Sequence, residues 1–88
     1  MSQEKMLARF ERDLLYLQQN QSPKENSGKA VHHLDYQGNE EEKLTDAQVE
    51  KLAQALLLND KFSGPLNLND NDLSDLAALA IASVLRKS

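Results

Sequence analysis

Residues 66–85 read L-N-L-N-D-N-D-L-S-D-L-A-A-L-A-I-A-S-V-L, and the two parts of this stretch follow different periods. Leu66 and Leu68 alternate with Asn67 and Asn69, the period-two spacing of a short strand. The Asn-Asp run that follows has the composition of a turn. From Ser74 onward the chain is rich in Ala and Leu without Gly or Pro, so it favours a helix. Asp72 or Ser74 is placed to supply the N-cap, and Arg86 and Lys87 set cations where a helix C-terminus attracts them.

The same unit occurs once more upstream. Laying Leu34 on Leu66 pairs Tyr36 with Leu68 and Asn39 with Asn71, and after three extra residues within 40–43, Leu44 meets Leu73. Thr45 then falls on Ser74, Asp46 on Asp75, Val49 on Ala78, Leu52 on Ile81, Ala53 on Ala82 and Leu56 on Leu85. The offset is 32 residues before the insertion and 29 after it, close to the length of solenoid repeats that carry a helix. Residues 31–36 therefore predict a brief strand and 37–39 a turn. Residues 45–58 predict a helix in which Thr45 and Gln48 have capping-box spacing, ended by Asn59 and Asp60.

Further out, residues 4–19 hold Leu7, Phe10, Leu14 and Leu17 at three- and four-residue steps, the stripe of an amphipathic helix. Lys5, Arg9, Glu11, Arg12 and Asp13 fall mostly on its other side and are expected to face water. Residues 20–29, with Pro23 and Gly28 among polar side chains, have the composition of a loop.

Leu66, Leu68, Asn71 and Leu73, followed by Ala77, Ala78, Ile81, Ala82, Val84 and Leu85, resemble the ribonuclease-inhibitor-like leucine-rich repeat family, whose strand pattern is L-x-L-x-x-N-x-L before an Ala- and Leu-rich helix. Leu34, Asn39, Leu44, Val49, Leu52, Ala53, Ala55 and Leu56 fill the same roles in the first copy. That copy departs from the pattern at Tyr36, where an aliphatic residue is usual, at Gln48, where a small one is, and in its insertion. The resemblance implies an α/β fold: a leucine-rich repeat solenoid fragment with parallel strands. On that reading residues 1–20 form an N-terminal capping helix, 21–29 a loop, 30–59 the first repeat and 60–88 the second. The family's Asn is expected to bond the backbone of the turn.

Bulk properties narrow the function. Ten Lys and Arg against 14 Asp and Glu give a net charge of −4, which argues against a nucleic-acid partner because a phosphate backbone wants a basic stripe. The chain contains no Cys, so it offers no disulfide and no thiolate ligand or nucleophile, in keeping with a reducing compartment. No uninterrupted apolar run has the length of a membrane span or signal peptide, and a cytoplasmic protein is expected.

Chemistry-bearing groups are sparse. His32, His33 and Asp35 are ligand types for a divalent ion, yet in a strand His32 and His33 point to opposite faces, leaving His33 and Asp35 exposed and His32 partly packed. Asn69 to Asp72 with Asp75 resemble a calcium loop that lacks its Gly and its final Glu. Asp72-Leu73-Ser74 differs from the Asp-Ser-Leu motif of acyl carrier proteins in the order of its residues. No nucleophile with a base at usable spacing and no phosphate-binding Gly-rich loop is present, so neither catalysis nor a cofactor is expected.

What remains is recognition. By alternation His33, Asp35 and Gln37 in the first copy and Asn67 and Asn69 in the second share the exposed strand face, where partners of this fold commonly bind. These five are the expected contact residues for a protein partner, making the chain an interaction module or scaffold subunit. The alternative is a structural element. Leu76 and Leu79 exceed what the repeat demands and are candidates for self-association, and two repeats leave an apolar edge open at the end of the second. That edge would be covered by a homo-oligomer or by further repeats of a longer protein.

Overall fold

The computed structural model describes the backbone of residues 5–87 and the side chains of residues 5–84. Three helices and a two-stranded parallel sheet make up this region, in the order α1 (Met6–Gln18), β1 (Leu34–Asp35), α2 (Asp46–Leu58), β2 (Leu66–Asn67) and α3 (Asp75–Lys87). Glu4, the side chains of Leu85, Arg86 and Lys87, and Ser88 lie outside what is described, so the expected cationic helix end is not among the features that follow.

The strands pair with Leu34 opposite Leu66 and Asp35 opposite Asn67. This is the register in which the two sequence copies align. Backbone amides of Leu34, Tyr36 and Gly38 donate to the carbonyls of Pro65, Asn67 and Asn69 at 2.8, 2.9 and 2.8 Å. Gly38 is required at the last of these positions: a Cβ there would collide with the Asp70 carbonyl oxygen.

Each helix has a local cause. Thr45 adopts an extended backbone and accepts from the Gln48 amide, while the Gln48 side chain accepts from the Thr45 amide, completing the capping box at the start of α2. At the start of α3 the Ser74 hydroxyl accepts from the Leu76 amide. Of the two N-cap candidates Ser74 fills the role, because Asp72 turns instead to Lys43 at 3.2 Å. Helix α1 ends in a left-handed Asn20 (φ 57°), with the Asn20 and Gln21 amides returning to Leu17 and Tyr16 carbonyls.

The core lies between the strands and α1 and α2. Phe10, Leu14 and Leu17 of α1 meet Leu34, Tyr36 and Leu44 around the first unit, with Val49 and Leu52 of α2 fully buried. The corresponding residues of the second unit are less covered. Leu66, Leu68, Leu73 and Ile81 are half-buried, and Ala78, counterpart of Val49, is exposed. The first unit is covered by the second, whereas the far side of the second has no neighbour among the described residues.

Two sequence expectations need correction. Asp13, expected to face water, is 2% exposed, because it accepts the hydroxyl of the equally buried Tyr36 at 2.6 Å. Arg12 pairs with the same carboxyl group at 3.0 Å. His32, expected to be partly packed, is exposed: it precedes the paired part of β1, and the close neighbour of its carbonyl is the backbone of Gly64.

The insertion in the first unit has a structural task. The Asn39 side-chain oxygen accepts from the amides of Glu41 and Glu42 and folds residues 39–42 into a turn. That turn carries the Glu42 carboxylate to the Met6 amide at 3.0 Å, capping α1, whose own N-cap residue Lys5 supplies no side-chain bond.

Candidate functional site

The sheet places its apolar residues on the helix side and its polar residues on the other. Asp35 and Asn67, directly opposite in the register, are joined by an Asn67 side-chain amide donating to the Asp35 carboxylate at 2.9 Å. The same carboxylate oxygen accepts from the Gln37 amide at 3.2 Å. Gln37 in turn donates from its side chain to Asp70 at 2.8 Å, and the Asn67 side-chain oxygen accepts from the Asn69 amide at 2.9 Å.

The five residues singled out by alternation therefore do not behave alike. Asp35, Gln37 and Asn67 are tied into one strip of hydrogen bonds, with Asp70 as a member that alternation missed. Asn69 is held only through its backbone in that strip, and its side chain is exposed, as is His33. Asp70 escaped notice because it sits in the turn, where a left-handed backbone (φ 62°) aims it back across the sheet.

A second set of bonds holds the units in line. The Asn71 side-chain amide donates to the carbonyls of Tyr36 and Leu68 at 2.8 and 3.1 Å, and its oxygen accepts from the Leu44 amide at 2.6 Å. Asp46 accepts from both the amide and the hydroxyl of Ser74, at 2.9 and 2.6 Å. Those two bonds hold the Asp46 carboxyl below its ordinary pKa of 3.8. Asn59 performs the matching task below, donating to the Leu17 and Gln21 carbonyls at 3.2 and 3.0 Å.

Among the described residues no group of three or more His, Asp or Glu side chains is placed to hold a metal ion. The Asp-rich turn is occupied otherwise, with Asp70 bonded to Gln37 and Asp72 to Lys43.

Apolar surface is concentrated on the helix side. Leu76 and Leu79, the candidates for self-association, are 61% and 64% exposed, but Leu58 at 83% and Leu15 at 60% are comparably bare. A cleft of about 550 Å³ opens between β2, α3 and the segment before β2, lined by Leu34, Leu56, Phe62, Leu66, Ile81 and Val84. Among the described residues no helix is long and apolar enough to cross a membrane.

No family model, curated protein or solved structure matches this chain. Its own residues and geometry carry the functional argument.

Proposed function

We propose that the chain is a leucine-rich repeat module of the ribonuclease-inhibitor-like kind, and that it binds a protein partner through the polar face of its sheet. The observation that carries this reading is the parallel register of Leu34 with Leu66, which sets the two sequence copies side by side, the arrangement that stacked units of a solenoid require. It leaves His33, Asp35, Gln37, Asn67 and Asn69 on the strand face and its rim, where repeat proteins engage partners.

Preorganisation supports that face as a recognition surface. Asp35, Asn67, Gln37 and Asp70 are already bonded to one another, so little side-chain freedom is lost when a partner docks. The module acts without catalysis, cofactor, nucleic acid or membrane, and in the cytoplasm, where a chain without Cys is suited to reducing conditions.

Capture from a lysate of the native cell, with the immobilised chain as bait and mass spectrometry as readout, tests the proposal. Replacing both Asp35 and Asn67 with Ala is expected to weaken the captured partner's affinity by about tenfold while leaving the circular dichroism unchanged. Undiminished capture by a folded double variant refutes the strand face as the site. A second reading, self-association through the outer face of α3, is favoured by the exposure of Leu76 and Leu79 and predicts capture of the chain by itself.

A further inference from the structure

The two edges of the sheet are finished differently. Leu34, Tyr36 and Gly38 direct their amides toward β2, so the residues between them turn their main-chain groups outward. On that outer side the Arg9 guanidinium donates to the Asp35 carbonyl at 2.9 Å. By the same alternation Leu66 turns its main-chain groups away from β1, at the mouth of the apolar cleft of about 550 Å³, and Leu68 follows directly beyond the end of β2. The Leu68 carbonyl accepts the Asn71 amide at 3.1 Å and keeps a second lone pair.

Sheet edges are ordinarily protected by charge, bulges or a covering element. Residues 62–69 carry no charged side chain.

We infer that this edge recognises a second copy of the chain, with β2 pairing antiparallel to β2 about a two-fold axis at Asn67. This edge is self-complementary. In that register Leu66 of one copy opposes Leu68 of the other, and each such pair exchanges both main-chain hydrogen bonds. On the cleft side Leu meets Leu, and Ile81 and Val84 of the two copies close over the opening. On the polar face Asn67 meets Asn67, a neutral amide pair able to donate and accept in both directions. Pairing through β1 would instead set Asp35 against Asp35, a like-charge contact that destabilises a strand pair. The product is a four-stranded sheet covered on one face by α2 and α3 of both copies.

The inference does not depend on the polar-face proposal, because its test reads self-association alone. The chain has no Cys, so Asn67→Cys introduces a single thiol. Across the axis the two Cα atoms at this non-hydrogen-bonded position come within about 4.5 Å, inside disulfide reach. Those of an Asp35→Cys variant, one strand further out on each side, are about 14 Å apart. The expected results are a dimer in sedimentation equilibrium of the unaltered chain and a covalent dimer from Asn67→Cys under mild oxidation. Asp35→Cys and Leu79→Cys are expected to give none at the same concentration. Val84→Glu, which buries a charge only when the cleft is closed, is expected to raise the dimer dissociation constant by about 100-fold.

A strictly monomeric unaltered chain at millimolar concentration overturns the inference, as does equal crosslinking from positions 67 and 35. Preferential crosslinking from Leu79→Cys overturns it in favour of the outer face of α3. A monomer in sedimentation of the unaltered chain overturns the inference even where a variant fails to fold, and a dimer is assigned to β2 or to α3 by the crosslinking.

Discussion

Removing a single oxygen, by Tyr36→Phe, isolates the join between α1 and the first strand. The ring stays in place, edge-on to Phe10 with centroids 5.4 Å apart and planes at 83°. What disappears is the hydroxyl that donates to Asp13 at 2.6 Å. Tyr36 is fully buried and Asp13 is 2% exposed, so water does not replace the lost bond, and a hydrogen bond to a charged group contributes about 1.5–3 kcal/mol. Arg12 continues to neutralise the Asp13 carboxylate, which places the expected loss near the middle of that range, about 2 kcal/mol. Urea unfolding should show a lower midpoint with an unchanged slope. In a domain whose whole stability is of order 5 kcal/mol, the shift is large.

The same variant separates the alkaline behaviour. Burial, reinforced by the bond to Asp13 and its negative charge, raises the Tyr36 pKa far above 10.0 in the folded chain. Below pH 10 the hydroxyl is protonated in both states and its contribution is intact. Above pH 10 the unfolded chain releases a proton that the folded chain retains, so stability falls by about 1.4 kcal/mol per pH unit from this group. Tyr36→Phe should lack that component while the remaining alkaline groups titrate as before. A variant within about 0.5 kcal/mol of the parent, with the same alkaline profile, would refute the assignment of this bond as the pin between α1 and the sheet.

Two further measurements address backbone fit and the link between helix starts. Gly38→Ala drives a methyl group into the Asp70 carbonyl and should cost about 3 kcal/mol, as overpacking against a rigid backbone does. Gly28→Ala, with φ +91° but nothing within 4 Å, should cost only the strain of a left-handed residue, about 1 kcal/mol. Equal losses in thermal unfolding would contradict the close approach at Gly38. The Asp46 carboxyl carbon, followed by NMR, should titrate below 3.8 because its bonds to Ser74 favour the charged form. Their contribution is complete above that pH and fades as pH falls through the lowered value. Ser74→Ala should move the midpoint upward, and an unmoved midpoint would show that the bond to the Ser74 hydroxyl is not responsible.

The fold's periodic parts were legible because their causes are local or repeated. Leu34 and Leu66 could be matched from the sequence because the copies align residue for residue. Thr45 and Gln48 announced the start of α2 because a capping box lies within one turn. Asn71 could be assigned to the turn backbone through the family pattern. What escaped notice depends on contacts between residues far apart in the chain. Nothing near Asp13 in sequence marks it as buried, since its partner Tyr36 lies 23 residues away. Tyr36 was visible only as a departure from the repeat. Its hydroxyl required a buried acceptor, and that requirement was the one signal that could have led to Asp13. Glu42 looked like part of an irregular insertion, because its task, capping α1 at Met6, spans 36 residues. On the polar face, alternation found Asp35 and Asn67 but not Asp70, whose left-handed backbone breaks the alternation.

Arg9 bonded to the Asp35 carbonyl gives the sheet a polarity of growth. A strand added at β2 meets the outward edge of Leu66, whereas one approaching β1 must first displace a guanidinium and the helix that bears it. In the pairing inferred above, two copies joined through β2 would present their Arg9-covered flanks outward, so that assembly would close at two chains instead of propagating into a fibre. One arginine at the opposite end of the molecule sets that limit.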